Sequence, residues 1–407
     1  MSVSLDDIAA ARERIAGAVS RTSCSHSIPL SEVCGFEVYC KREYLQVTGS
    51  FKERGARNAL LSLSTEQRSL GVIAASAGNH ALGLAYHGKL LGIPVTVVMP
   101  KQSPLIKSET CRRYGANVLL HGESLVEAKE LADRMAARDG LRYINGYDDA
   151  EIIAGQGTIG LEVLEQVADA GAVVVPIGGG GLIAGIAVAV KALRPSVELV
   201  GVEPENADSF SRALAAGRVI TAEMGPTLAD GLAVARVGER ALRIARAHID
   251  RIVKVTEDEI ALAILRLVEL EKGVVEGAGA ASLAACLSGK LVHLRPKKVV
   301  LILCGGNIDP MILSRVVERG LVTDGRLCRF TAVISDRPGG LARFASLVAS
   351  TGASIKEVLH DRAFSGPNVM AVNVHCTIET RDRQHRAEFF VRMREAGVRV
   401  LNRDVYE

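Results

Sequence analysis

An open α/β architecture on parallel sheets, followed by a small βαββαβ module, is the fold class that this sequence predicts. Three observations lead there. Between Tyr39 and Asn307, short β-branched runs alternate with longer helical patterns. Glycine-rich turns follow several of those runs and open the next helical pattern. After Gly325 the rhythm changes to strand, helix, strand, strand, helix, strand. The first set of strands is solidly apolar, as expected when helices cover both faces of a sheet. A βαβα order implies parallel pairing.

Taken in order, Ser4 to Val19 reads as an amphipathic helix, with Ile8, Ala11, Ile15 and Val19 on one face and Ser4 with Asp7 as a capping box. Its charges, Asp6 to Arg14, are unlike a secretory leader. Strands are predicted at Val72–Ala75, Pro94–Met99, Val118–His121, Val173–Ile177, Leu199–Glu203 and Val299–Leu303. Helices are predicted at His80–Leu91, Pro104–Tyr114, Leu125–Arg138, Ile153–Val167 and Leu182–Leu193. The string Thr323-Asp324-Gly325-Arg326 reads as a hinge. Beyond it come strands Arg329–Ser335, Ser354–Leu359, Val369–Ile378 and Val398–Leu401, with helices Leu341–Thr351 and Ala387–Ala396, the ferredoxin-like order.

The bulk properties narrow the function. The 407 residues are 48% hydrophobic and 23% charged, the profile of a folded chain. A net charge of +3, scattered along the chain, argues against nucleic acid or anionic lipid as a partner. The absence of Trp and the 4% aromatic content argue against base stacking. No uncharged apolar run approaches the about 18 residues of a membrane span; the richest, Leu182 to Val190, runs straight into Lys191. Eight dispersed cysteines with no CxxC pair suggest free thiols in the reducing cytoplasm rather than disulfides or zinc.

Four segments carry chemistry. Val47-Thr48-Gly49-Ser50-Phe51-Lys52-Glu53-Arg54-Gly55-Ala56 puts a lysine beside an aromatic ring at a helix start. A lysine is usually a solvated charge, but one with a depressed pKa can form a Schiff base. Ser76-Ala77-Gly78-Asn79-His80 lies between a strand and a helix, where main-chain N–H groups can hold an anion or a side chain can simply cap the turn. Gly178-Gly179-Gly180-Gly181 sacrifices much backbone entropy for a plain turn. It matches neither GxGxxG nor a Walker loop, so a monophosphate suits it better than a dinucleotide. Cys304-Gly305-Gly306-Asn307 adds a small polar atom at another strand end.

In this order the four segments resemble the fold-type-II pyridoxal-phosphate enzymes, and more closely the serine/threonine dehydratases. The resemblance spans residues 1–322 and includes Tyr147-Asp148-Asp149, Gly155-Gln156-Gly157-Thr158-Ile159-Gly160, Gly201-Val202-Glu203-Pro204 and Glu276-Gly277-Ala278-Gly279. It implies two open, mostly parallel α/β subdomains, the smaller at about residues 47–146. It implies pyridoxal 5'-phosphate as cofactor, with Lys52 as Schiff base and general base, Phe51 against the pyridine ring and Asn79 on the ring's 3′-oxygen. Gly178, Gly179, Gly180 and Gly181 would bind the phosphate, and Cys304 would face the pyridine nitrogen. Ser76, Gly78 and His80 would line the pocket for the substrate carboxylate. The reaction implied is loss of water and then ammonia from L-threonine, giving 2-oxobutyrate, with L-serine to pyruvate as a companion activity.

Two departures refine that expectation. Racemases of the group carry Ser where this chain has Ala77, which has no proton to give. Some relatives hold a divalent ion after the Gly-Val-Glu-Pro string. Here Glu203 and the Ala207 carbonyl match, but Ser209 stands in place of an Asp, so a monovalent cation or no ion fits better than Mg²⁺.

Residues 327–407 resemble an ACT domain through Asp336-Arg337-Pro338-Gly339-Gly340-Leu341. The resemblance implies an amino-acid effector near Asp336, Pro338, Gly339 and Leu341, and a homodimer or homotetramer. Alternatives are a threo-3-hydroxyaspartate ammonia-lyase, a serine racemase-like enzyme and, in another class, an amino-acid sensor whose enzyme half is inactive.

Overall fold

The computed structural model describes residues 3–362 and 370–404, in two compact units, Met1–Ile308 and Asp309–Glu407. In the first unit, β1 (Cys24–Ser27) and β2 (Val38–Lys41) form an antiparallel pair at one edge of a six-stranded sheet. The chain then leaves that sheet. It builds a second one from β3 (Val72–Ala75), β4 (Val95–Met99), β5 (Asn117–Leu120) and β6 (Arg142–Tyr143), all parallel and in the order β5-β4-β3-β6. It returns with β7 (Ala170–Pro176), β8 (Glu198–Pro204), β9 (Arg251–Val255) and β10 (Lys298–Ile302), completing the order β1-β2-β10-β7-β8-β9. Apart from β1–β2, the pairs of this sheet are parallel. Val173, Val174, Val200, Val202, Val299, Val300 and Leu301 are buried, which fits central strands covered on both faces.

The predicted strands and helices are present within a few residues of their expected bounds. The N-terminal helix is shorter than its apolar pattern: it spans Leu5–Ile15, with the Ser4–Asp7 capping box in place, and ends before Gly17, whose φ is +74°. Val19 therefore lies outside it. Strands β1, β2, β6 and β9 are short or mix charged residues with apolar ones, so they carry no apolar run to reveal them.

Two glycines set the position of the lysine loop. The helix Lys52–Leu61 crosses the helix Ala150–Gln166 at Gly55 and Gly155. A Cβ on Gly155 would lie 2.6 Å from the Gly55 Cα, so the axes can approach this closely only because both residues are glycine. Arg54 is buried beside them and bonds Glu43 at 2.8 Å and Glu162 at 2.6 Å, while Lys41 pairs with the same Glu162. The shared Glu162 ties the start of the helix to β2, and removing one member of such a buried set costs on the order of 3–5 kcal/mol.

In the second unit, β11 (Leu327–Ser335), β12 (Ser354–Asp361), β13 (Ala371–Glu379) and β14 (Arg399–Asp404) form an antiparallel sheet in the order β12-β13-β11-β14. The helices Gly340–Ser350 and Arg383–Glu395 complete βαββαβ, and the helix Pro310–Thr323 precedes it. Alternate residues of β11 and β13, from Cys328 to Ile334 and from Val372 to Ile378, are buried around Phe330, Phe344, Phe389 and Phe390. Between them, Thr331, Val333, Asn373 and His375 are only partly buried, the pattern of a sheet covered on one face. Val369, expected to begin β13, lies outside the described residues.

Candidate active site

Lys52 is the first residue of its helix, so its side chain leaves from the loop that precedes it. That loop is clamped by the segment after β10. Phe51 N–H donates to the Cys304 carbonyl at 3.0 Å, and Gly306 N–H donates to the Gly49 carbonyl at 2.9 Å. Asn307 Nδ2 donates to the Thr48 carbonyl at 2.7 Å. Gly49, with φ at +77°, lies where a Cβ would fall 2.4 Å from Asn307 Oδ1.

The half-buried Lys52 Nζ donates to the Gly146 carbonyl at 2.6 Å and sits 5.0 Å from the centre of the Phe51 ring. Desolvation lowers its pKa from 10.5 to about 8, against the pull of Cys304 and Glu276. Cys304 is 2% exposed, and burial first, then the charge of Glu276, pushes its thiol well above the ordinary range. It is therefore a neutral hydrogen-bonding group.

Asn79 opens the helix after β3. Its Nδ2 donates to Glu276 Oε1 at 2.7 Å, and its Oδ1 accepts from Asn307 Nδ2 at 2.8 Å, which fixes the orientation of the amide. Gly78 precedes it without a capping side chain, and a Cβ there would meet nothing within 4 Å. Ser76 Oγ accepts from Gly78 N–H at 3.4 Å. His80 turns inward: its Nε2 lies 3.1 Å from the Ile144 carbonyl, and its ring packs where a Cβ on Gly146 would fall. Desolvation, and then Lys52, lower its pKa to about 3, so the ring is neutral. Ala77 packs on the apolar core of the smaller sheet.

The four glycines follow β7 and start the helix Gly181–Leu193, whose first turn has no capping side chain. The amides of a first helical turn have no intrahelical acceptor and attract anions. Each glycine is demanded from behind. A Cβ on Gly179 would lie 2.3 Å from the Tyr147 ring, one on Gly180 2.5 Å from the Phe210 ring, and one on Gly181 2.4 Å from the Tyr147 carbonyl oxygen. Gly178 would come within 3.1 Å of the Leu232 Cα. Tyr147 thus touches the glycine turn while its neighbour Gly146 receives Lys52, so one short turn joins the amine to the candidate anion cradle.

An electrophilic aldehyde for the lysine, an anion for the uncapped amides and a ring needing one amide donor and one neutral partner are the chemistry these groups fit. Two residues of the site, Glu276 and Asn307, have no role that the sequence reveals. Both lie within strings that carry the family resemblance, but only their contacts with Asn79 expose them. Glu203 serves a structural purpose: its carboxylate caps the helix Ser209–Ala216, accepting from Phe210 N–H at 2.7 Å and Ser211 N–H at 2.9 Å. Ala207 is buried, Ser209 Oγ donates to the Val234 carbonyl, and Asp208 is held by Lys254 and Arg212. No group of three or more His, Cys, Asp or Glu side chains able to hold a metal ion occurs among the described residues.

In the second unit, Gly340 is forced by the Ser335 carbonyl oxygen, 1.9 Å from where a Cβ would stand, and Gly339 has φ at +85°. Asp336 accepts from Arg362 Nε at 3.0 Å, while Pro338 and Leu341 are exposed. No helix of the described residues is long and apolar enough to cross a membrane, and the eight cysteines are free.

Residues 15–305 match the family of pyridoxal-phosphate dependent enzymes. The chain is 43% identical over 386 residues to an L-threonine ammonia-lyase of Thermotoga maritima, covering 95% of this chain and 96% of that one. It is 44% identical over 319 residues to a catabolic L-threonine dehydratase of Escherichia coli K12, covering 78% of this chain and 96% of that protein. A solved threonine deaminase, isoform 2 of Solanum lycopersicum, superposes with a TM-score of 0.73 at 38% identity, over 77% of this chain and 86% of that one.

Proposed function

Because the chain belongs to the family of pyridoxal-phosphate-dependent enzymes, we propose that it converts L-threonine to 2-oxobutyrate and ammonia, and L-serine to pyruvate and ammonia. The observation that carries this reading is the desolvated Lys52 amine, joined through the Gly146–Tyr147 turn to four glycines at an uncapped helix start.

Lys52 would hold the cofactor through Nζ, Gly178 to Gly181 its phosphate, Phe51 a face of its ring, Asn79 the ring oxygen and Cys304 the ring nitrogen. Bound there, pyridoxal phosphate supplies an electron sink for the bond at the substrate's α-carbon. With its pKa lowered to about 8, Lys52 Nζ holds a far larger neutral fraction near neutrality than an ordinary lysine, and in that form it would remove the α-proton. The neutral Cys304 thiol cannot hold the ring nitrogen protonated as a carboxylate would, which favours prompt loss of the β-hydroxyl. Ser76 Oγ and the amides of Gly78 and His80, at the start of the helix, would orient the substrate carboxylate. Ala77 offers no acid to the opposite face of the α-carbon, so elimination is favoured over racemisation.

Only a neutral amine attacks an aldehyde. The rate at which cofactor-free enzyme takes up pyridoxal phosphate should therefore rise with pH and level off above about 8, set by desolvation of Lys52. Stopped-flow absorbance measures it; a rate still climbing toward the ordinary 10.5 would contradict the depressed amine.

We assign catalysis to the first domain, residues 1–322, and amino-acid control to residues 327–407, with the effector at the Asp336–Leu341 loop and the second units paired in a homodimer or homotetramer. The eight unlinked thiols suit the cytoplasm. Deleting Arg326–Glu407 should leave threonine turnover within about threefold and abolish any response to isoleucine or valine. The shorter Escherichia coli relative matches a catalytic portion of about this extent. Keto-acid release with and without those amino acids is the measurement; a truncated enzyme that still responds would place the effector elsewhere. The same assay on threo-3-hydroxyaspartate tests the alternative substrate.

A further inference from the structure

Glu276 is a buried carboxylic acid, 3% exposed, in the middle of the site and with no part in the steps above. Its backbone N–H donates to the Gly305 carbonyl at 3.0 Å, and its Oε1 fills the space where a Cβ on Gly305 would fall, 2.2 Å away. The segment after β10 is thus shaped around this carboxyl group. That segment also clamps the lysine loop, through the Ser50–Gly305 bridge and the Phe51–Cys304 bond.

We infer that Glu276 is a positioning residue: by accepting one N–H of Asn79 Nδ2 it holds that amide so that the second N–H is available to the cofactor's ring oxygen. The inference rests on the reading that pyridoxal phosphate is held between Lys52 and Asn79. Asn307 completes the arrangement, since its Nδ2 takes the Asn79 carbonyl and prevents the amide from reversing. Without an acceptor at position 276, the donor end of the amide would lose its anchor.

A charge at position 276 would oppose the negative ring oxygen through the same amide, so protonation should be felt in cofactor binding. The groups that act on Glu276 are Asp230, which disfavours its charge, and Lys107, Lys52, the Asn79 amide and the Asn307 N–H, which favour it; the Cys304 thiol is also close. Burial first, then Asp230, raise its pKa to about 7. Below that value the carboxyl is neutral, and above it charged.

The test measures the dissociation constant of pyridoxal phosphate from full-length protein by equilibrium dialysis between pH 6 and pH 8.5, in wild type, E276Q and E276A. Lys52 titrates in all three, so the part of its pH dependence that does not come from Glu276 cancels in ratios, and the part that does is carried by the same carboxyl proton under test. The wild-type constant, divided by that of E276Q, should rise about threefold or more as pH passes 7, because only the wild type acquires the charge. E276A should bind about tenfold more weakly than E276Q at pH 6, where only position differs. The ratio can also be read against E276A, which lacks the same proton. A ratio that stays flat across this range, or an E276A protein that binds like E276Q, overturns the inference. Borohydride labelling separates the two levels: Lys52 labelled in all three with flat ratios removes only Glu276, whereas no label at Lys52 in the wild type removes the cofactor reading and this inference together.

Discussion

Lys52→Ala should reduce 2-oxobutyrate release from threonine by at least about 10³-fold, since the proposed function makes this residue both the covalent anchor and the proton acceptor. The loss should be chemical rather than structural. The lysine amine is held by one carbonyl, that of Gly146, and alanine is readily accommodated in a helix. Far-ultraviolet circular dichroism should be unchanged while the visible absorbance expected of an imine-bound cofactor and the borohydride label disappear. Lys52→Arg should be equally inactive, because a guanidinium stays protonated and forms no imine. Continued keto-acid release by either variant, at more than about a hundredth of the wild-type rate, would move the chemistry to another residue.

Gly181→Ala should weaken pyridoxal-phosphate binding by about 10- to 100-fold, the equivalent of about 1–3 kcal/mol of overpacking. The new methyl would stand 2.4 Å from the Tyr147 carbonyl oxygen, which is backbone and cannot swing aside. The displaced turn is the one that also presents Gly146 to Lys52. Phosphate cradle and anchor should therefore suffer together. Gly179→Ala meets the Tyr147 ring instead, a side chain hydrogen-bonded through its hydroxyl to the Arg236 carbonyl at 3.1 Å, and should behave similarly. Cofactor titration followed by absorbance gives the constants. Affinity equal to wild type in Gly181→Ala would mean that the glycines do not hold the phosphate.

Lys52 and the glycine turn are legible in the sequence for different reasons. Lys52 is conspicuous only because Phe51, the tetraglycine and Cys304 appear in order with it; a single lysine carries no signal. The tetraglycine is conspicuous alone, since four unprotected positions are costly unless something presses on each. The structure shows what presses: Tyr147, Phe210 and Leu232. His80, by contrast, reads from sequence as a pocket residue, yet its ring is turned to Ile144, leaving its main chain at the helix start. Glu203, read from sequence as an ion ligand if any ion is bound, has a carboxylate that accepts two amides at a helix start, which no sequence pattern announces. Arg54, in the most informative string of all, belongs to a buried network with Glu43 and Glu162.

Apolar runs, turn glycines and ordered motifs are local, so the amino-acid order by itself settled the α/β class, the change of rhythm after Gly325 and the family, and it singled out Lys52 for the proposed anchor. Hydrogen-bond partners and burial depend on residues far apart in the chain. Asn79, Glu276 and Asn307 meet across separations of 197 and 228 residues, and no local pattern encodes such a meeting. Only the tertiary structure could show which polar groups face the site, which are spent holding helices and loops in place, and which carboxyl group is buried deeply enough to keep its proton near neutrality.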